Sequence, residues 1–463
     1  MLPLCKNHEE EVPLMDVDRI MKLDARHVWH PCTQMKDHED LPPIPIQRAE
    51  GVTLVDAFGK RYLDGVSSWW LNLFGHNHPR LNRALTQQLD KVAHHIFANM
   101  THEPGVLLAA KLAEITPGNL PRVFYTDNGS SAVEAALKMS FQYWQQSGRP
   151  QKTHFLSLTG AYHGETLGAL SVGGCDLYRQ IYQPILLKGY QAQGPDCYRC
   201  PEAQHRDTCH GECFHHVEEI VRRHHETIAG IVVEPMVQCA AGMRIHSPVY
   251  LRKLREICDT WGIHYIADEI AVGFGRTGRM FANEHARVAP DLLCLSKGIT
   301  GGYLPLAVVL TTDSVYNAFY DEYATLKAFL HSHSYTGNPL ACAVALEVLD
   351  IFEEENILEG LLPKAAHLAS YREKFESLPW VGEFRQLGMI AAIELVKDRE
   401  TREGFPWEER VGFQIFKKSL EHGALLRPLG NVIYFFPPLT ITEEEMDRLA
   451  HIAHRSIVEV LDS

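Results

Sequence analysis

Apolar residues follow two rhythms along this chain. IAGIVVEPM, HYIADEI, DLLCLSKGI and LPLAVVL are short, nearly unbroken apolar runs. Runs of that length read as strands buried on both faces of a sheet. HFLSLTG, and the residues leading to Phe124 and Tyr125, read the same way. Between the runs, apolar residues recur every three or four positions, the spacing of a helix with one buried face. Val133, Leu137, Phe141 and Trp144 mark one such helix, opened at Gly129-Ser130 and ended by Gly148. Leu251, Leu254, Ile257 and Cys258 mark another, with Ser247 as N-cap and Pro248 at its first position. Residues 79–97 and 103–115 predict two more amphipathic helices. Strand, helix, strand in succession is the crossover unit of a parallel sheet, so the middle of the chain predicts an α/β fold.

The pattern changes toward both ends. An acidic tail, MLPLCKNHEEEVP, precedes a short helix in MDVDRIMKLDARH. HVWHPCTQM predicts an extended approach, with Pro31 restricting the backbone. IPIQRAEG and TLVDAFGKRYLDG predict short strands broken by Gly51, Gly59 and Gly65. Residues 313–328 predict a mobile or helical insert, and HSHSYTGNPL opens a long helix. From about residue 342 helices lead to the strands MIAAIELVKD and NVIYFFPPL, an α+β pattern. The expected division has residues 1–65 contributing to a small domain, 66–341 forming a large domain with a mainly parallel sheet, and 342–463 forming the α+β small domain. A length of 463 residues suits two or three domains rather than one core.

Composition removes whole classes of function. A net charge of -14 argues against a nucleic-acid surface. No apolar run reaches the length of a membrane span, and the N-terminus lacks a hydrophobic signal core. Eleven cysteines, an odd number in a long chain, suit a reducing cytoplasm better than a disulfide framework. Four of them, Cys197, Cys200, Cys209 and Cys213, lie close together. Such a set holds zinc or an iron–sulfur cluster, or forms a reduced surface loop with His205, Asp207 and His210.

The strongest chemistry sits where two apolar runs stop. HYIADEI brings Asp268 and Glu269; DLLCLSKGI brings Ser296 and Lys297. A carboxylate and a lysine at the C-terminal ends of neighbouring strands face the crevice where open α/β sheets bind ligands. A lysine that takes up an aldehyde, and an acid that keeps a pyridine nitrogen protonated, suit pyridoxal 5′-phosphate. Each alone has an ordinary reading, the lysine as a snorkelling side chain and the aspartate as a helix cap. Gly273, Gly275 and Gly278 also spell G-x-G-x-x-G, but a dinucleotide site needs a helix directly after them and an acid about 20 residues on. Arg276, Thr277 and Arg279 stand there instead, followed by a short polar stretch. Gly129-Ser130 at a helix N-terminus offers N–H donors, a hydroxyl and the positive dipole end to a phosphate, or Ser130 simply caps the helix. Ser332 and Ser334 precede the later long helix in a similar way. Tyr162 or His163 offers a ring to stack on a flat cofactor. Trp69 and Trp70 are either core or an aromatic wall for an apolar substrate chain.

DEIAVGFGRTG followed by LSKG resembles the class III aminotransferases, pyridoxal-phosphate enzymes of fold type I with an aspartate aminotransferase-like fold. The likeness runs from about Arg26 to the last helix. SSWW followed by GHNHP, together with HVWHPCTQM, is similar to the branch of that family that serves biotin synthesis. The resemblance implies a homodimer with shared sites and small-molecule substrates, with neither nucleic acid nor membrane as partner. It implies Lys297, Asp268 and Tyr162 as the catalytic set, Tyr162 of the YHG motif covering the cofactor ring. Gly129, Ser130 and Ser334 would hold the phosphate, Ser334 that of the neighbouring subunit. Trp69, Trp70, Gly302, Arg276, Ser332, Arg427 and Tyr434 would meet substrate, with the planar fork of Arg427 taking a carboxylate. Cys32 and Leu429 stand where the branch often has aromatic residues, and Glu165 where it has aspartate. Gln238-Cys239-Ala240 lacks the gating glutamate of many ω-aminotransferases. Relatives carry similar YRCP loops without an obligatory metal, so none is expected here. The implied reaction moves an amino group from S-adenosylmethionine, or from lysine in some relatives, to 8-amino-7-oxononanoate. Two rivals are a general ω-amino acid:pyruvate aminotransferase, opposed by SSWW and HVWHP, and a non-catalytic or metal-binding scaffold, opposed by Lys297, Asp268 and Tyr162.

Overall fold

The structure is a computed structural model that describes residues 16–202 and 206–462; the N-terminal tail and His205 lie outside the described residues. Seven strands form the central sheet: β1 (Arg122–Thr126), β2 (His154–Leu158), β3 (Tyr190–Ala192), β4 (Ile228–Val233), β5 (His264–Asp268), β6 (Leu292–Leu295) and β7 (Ala307–Thr311). Their spatial order is β1-β7-β6-β5-β4-β2-β3. Neighbours from β6 through β3 run parallel. Only β7 runs antiparallel, to both β6 and β1. The link between β6 and β7 is shorter than the dozen or more residues a parallel crossover needs, so the chain must turn back. Every residue of β4, β5, β6 and β7 is buried, which is why these runs carry no polar alternation.

Helix α1 (Gly129–Gln146) lies across the sheet on Ala132, Val133, Ala136, Leu137 and Met139, small residues that let it sit close. Phe141, expected on that buried stripe, is 40% exposed; the stripe has rotated past it and continues through Ser140 and Trp144. The N-cap is Asn128, whose side chain accepts from Ser131 N–H, not Ser130. Helix α2 (Pro248–Trp261) carries the chain from β4 to β5, with Ser247 accepting from Val249 N–H and Gly262 in the left-handed region. The helix expected over 79–97 is shorter, Pro79–Leu89, and Asp90 closes it. The long helix begins at Pro339 with Asn338 as cap, so Ser332 and Ser334 lie in the turn ahead of it. Residues 313–328 hold a short helix, Asp313–Asn317, and a single turn, Tyr323–Thr325.

The two ends of the chain build together. Ile46–Glu50, Thr53–Asp56 and Arg61–Asp64 form an antiparallel meander, and Ala424–Leu425 adds a parallel strand to its edge, with Leu425 opposite Asp64. A second small sheet joins Val381–Leu387, Ile390–Leu395 and Val432–Phe435. These sheets bring Trp69, Trp70, Arg427 and Tyr434 over the carboxyl ends of β4, β5 and β6. Among the described residues no helix is long and apolar enough to cross a membrane.

Candidate active site

Between the central sheet and the small sheets lies a cavity of about 1250 Å³. Asp268 is the last residue of β5 and pairs in register with Cys294 of β6, two residues before Ser296. Lys297 follows directly, so the acid and the amine leave adjacent strands into one space, and both line the cavity. Lys297 holds a left-handed backbone, φ 45°. Its ammonium lies 4.5 Å from the centroid of the Trp70 ring. Burial depresses the amine below the usual lysine range, with Cys239, Asp268 and Glu234 pulling the other way.

Asp268 is fixed from two sides. Its Oδ1 accepts Ile270 N–H at 3.0 Å, and its Oδ2 lies 2.7 Å from His163 Nδ1. His163 is buried, and its Nε2 has no hydrogen-bond partner among the described residues. Glu234, just beyond β4, accepts N–H bonds from Tyr162 at 2.9 Å and Cys239 at 3.0 Å. Burial pushes the Glu234 carboxyl up to about 7, against the pull of His163. His163 therefore braces the acid, while Tyr162 lines the cavity and donates to Glu165 at 3.0 Å. The residues alone left these neighbours open as stacking rings, and only the YHG resemblance favoured Tyr162.

At the opposite end, α1 points its N-terminus into the cavity. Ser130 Oγ accepts Thr166 N–H at 3.1 Å and lies 2.8 Å from the Thr166 hydroxyl. A Cβ on Gly164 would lie 2.4 Å from Ser130 Oγ, and one on Gly129 would lie 2.9 Å from Ile270. Both glycines therefore let the neighbouring chain pack closely against the first turn of the helix, which lines the cavity and offers the positive dipole end to an anion.

The third wall is the SSWW stretch. Ser67, Ser68, Trp69 and Trp70 all hold positive φ, 49°, 46°, 78° and 73°, so the chain makes a left-handed turn. Each such residue costs about 1–2 kcal/mol. The turn separates the tryptophans. Trp70 is buried against Lys297 and donates from Nε1 to the Tyr434 hydroxyl at 3.0 Å. Trp69 is 40% exposed and stacks under the Arg427 guanidinium at 4.6 Å. Arg427 also donates to the Cys32 carbonyl at 2.9 Å.

Gly129, Ser130, Tyr162, Asp268, Lys297, Trp69, Trp70, Gly302, Arg427 and Tyr434 all line the cavity, as do Cys32 and Leu429. Three expected site residues do not. Arg276 is buried and donates to the carbonyls of Pro437 at 2.5 Å and Asn72 at 2.8 Å, tying the two segments together behind the cavity wall. Ser332 and Ser334 stand outside the cavity of their own chain; the Ser334 carbonyl accepts from the His94 ring at 2.8 Å. Sequence reasoning missed His163 as partner of Asp268, and missed Tyr178, whose hydroxyl lies 3.8 Å from the Cys32 thiol. Tyr178 brings a hydroxyl beside the position where Cys32 supplies none. Cys197, Cys200, Cys209 and Cys213 ring a separate cavity of about 220 Å³ as free thiols. Among the described residues no three His, Cys, Asp or Glu side chains are gathered so as to hold a metal.

The cavity thus gathers a lysine and an acid from adjoining strands, the N-terminus of a helix and an aromatic wall. The chain belongs to the class III aminotransferases, whose sequence profile matches residues 34–457. Adenosylmethionine-8-amino-7-oxononanoate aminotransferase of Geobacter sulfurreducens is 49% identical over 450 residues, 96% of this chain and 99% of its own. The crystal structure of the enzyme of that name from Methanocaldococcus jannaschii superposes with a TM-score of 0.91 at 40% identity, covering 96% of this chain and 100% of that one. An amine transaminase from an uncultivated Pseudomonas species, solved in its PLP-bound form, gives 0.88 at 35% identity, covering 94% and 99%.

Proposed function

We propose that this aminotransferase moves the amino group of S-adenosylmethionine onto 8-amino-7-oxononanoate, giving 7,8-diaminononanoate for biotin synthesis, with pyridoxal 5′-phosphate in the cavity. The observation that carries the reading is the Lys297 amine and the Asp268 carboxylate on adjoining strand ends within one enclosed space. The donor set fits the cofactor: the helix N-terminus for the phosphate, Asp268 for the ring nitrogen, Tyr162 for the ring face, Lys297 for the aldehyde. When bound, the cofactor supplies an electron sink for the carbon that gains or loses nitrogen.

The chain's own residues do the rest. Asp268, braced by His163, holds a proton at the pyridine nitrogen. Lys297, with its amine kept below the usual lysine range, would act as base toward the substrate carbon that bears the nitrogen and as acid when the proton is returned. The tryptophan wall and Arg427 suit an acceptor with an apolar chain and a terminal carboxylate. Trp70 and Tyr434 keep water from the Lys297 side of the cavity.

The substrate assignment is supported by relatives of that name at 49% and 47% identity. A second reading, transfer from simple amines to pyruvate, is favoured by the likeness to amine transaminases. Lysine is the alternative donor within the first reading. Turnover of 8-amino-7-oxononanoate by the purified holoenzyme, with S-adenosylmethionine and lysine side by side, separates them. Strong turnover of ω-amino acids with pyruvate, and none of the keto amino acid, would refute the first reading. The proposed working form is a cytoplasmic homodimer in which Ser334 reaches the phosphate of the partner's cofactor; Ser334 lying outside its own cavity supports this. The ten described cysteines, all free thiols, suit a reducing compartment.

A further inference from the structure

The left-handed turn over Ser67–Trp70 needs something to hold it, because these are not glycines and the conformation is unfavourable for each. The holder is Asp64. Its side chain is fully buried. Oδ1 accepts N–H bonds from Ser68 at 2.9 Å and Val66 at 3.3 Å. Oδ2 accepts the Ser68 hydroxyl at 2.7 Å and lies 2.9 Å from His76 Nε2. The two ends of the turn are tied separately: at its entry Ser67 donates to the Phe436 carbonyl at 2.7 Å, and beyond its exit buried Arg276 bridges Asn72 to Pro437.

The backbone at the same position pairs with the strand that leads to a second part of the site. Asp64 stands opposite Leu425 in the parallel pairing, and Gly65 N–H bonds to the Leu425 carbonyl at 3.1 Å. Arg427 lies two residues further on. One carboxylate thus sets the turn that aims Trp70 at Lys297 and Trp69 at Arg427, and the backbone of the same residue sits on the register that delivers Arg427. A right-handed turn would bring the two indoles out on other faces. Strain kept at a site by its surroundings points to a role in that site.

We infer that Asp64 is a positioning residue for this reaction: it locks the left-handed SSWW turn and thereby builds the subsite for an apolar chain ending in a carboxylate. The inference rests on the proposed roles of Arg427 and the tryptophan wall. Asp64 touches no reacting atom, so its removal should act on binding more than on the chemical step.

The test uses the purified holoenzyme and nonanoate, an apolar chain with a terminal carboxylate, titrated by tryptophan fluorescence. Asp64→Asn keeps one acceptor oxygen but loses the one that takes the Ser68 hydroxyl. The Kd for nonanoate should rise about tenfold, while the cofactor's visible band stays. Adding Ser68→Gly, which accepts the left-handed backbone freely, should recover a large part of that loss. A merely stabilising aspartate would not be rescued by a glycine. Should Asp64→Asn fail to fold, Ser68→Ala decides, with an expected rise of about threefold. Wild-type affinity in Asp64→Asn, a loss that glycine does not recover, or wild-type affinity in Ser68→Ala would overturn the inference. Wild-type protein that binds nonanoate but aminates no keto acid contradicts the substrate reading and leaves the positioning role standing.

Discussion

In the proposed reaction Lys297 and Arg427 divide the work between chemistry and binding. Lys297→Ala removes the only amine assigned to the proton transfers, and turnover should fall at least about 1000-fold, measured as keto acid consumed under saturating substrate. Comparable turnover in that variant would end the assignment. Arg427→Ala should raise KM for the keto acid about 10- to 100-fold with a smaller change in kcat, the signature of a lost charged hydrogen bond to ground state and transition state alike. An unchanged KM would move carboxylate binding elsewhere. Arg276 is the weaker candidate for that task, since it is buried outside the cavity lining and two of its donors reach the carbonyls of Pro437 and Asn72. Asp268 and Lys297 were legible in sequence because apolar runs announce where strands end, and strand ends are where such folds place ligands. The brace on Asp268 was not, because His163 is 105 residues away in sequence and only the folded sheet brings it within 2.7 Å.

At the scale of elements, period predicts which segments form and long-range pairing decides how they are used. β4, β5 and β6 were readable as buried strands; the reversal at β7 follows from link length. The cap of α1 fell to Asn128 instead of Ser130, because Ser130 faces Thr166 and the cavity. The handedness of SSWW has no signature in composition: no glycine marks it, and Asp64 holds it from outside. Beneath α1, His264 starts β5 with its ring stacked on Trp144 at 4.7 Å and its Nδ1 2.8 Å from Ser140 Oγ. Burial lowers this imidazole from 6.5 to about 4, with Asp291 opposing. The folded ring stays neutral while the unfolded chain takes up a proton, so stability is complete above pH 6.5 and is lost as pH falls toward 4. The contribution is at most about 3 kcal/mol. Urea midpoints of wild type and His264→Gln should therefore converge as pH falls through that window; parallel profiles would contradict the neutral buried ring.

The molecule as a whole carries apolar surface that one chain leaves uncovered. Leu177 is 86% exposed, Leu330 88% and Tyr323 92%. The proposed dimer would cover such residues, and the turn holding Ser332 and Ser334 is close in sequence to two of them. Light scattering should give twice the chain mass of 52.4 kDa, and a monomer with full activity would refute the shared site. Ser334→Ala should weaken cofactor binding about three- to tenfold, read as the pyridoxal phosphate concentration that half-restores absorbance to stripped protein. The fold class and the cavity's main residues were within reach of the sequence. The role of Ser334 at the neighbouring subunit's phosphate came only from the family resemblance, because symmetry leaves no trace in the residues themselves.

The central claim is that the aldehyde of the cofactor is held by the amine after β6, next to the acid after β5. Borohydride reduction of protein loaded with pyridoxal 5′-phosphate, followed by peptide mass mapping, tests it directly. The account predicts one pyridoxyl label per chain, on Lys297, and none on Lys297→Ala. A label on another lysine, or no stable label on the wild-type chain, would contradict it.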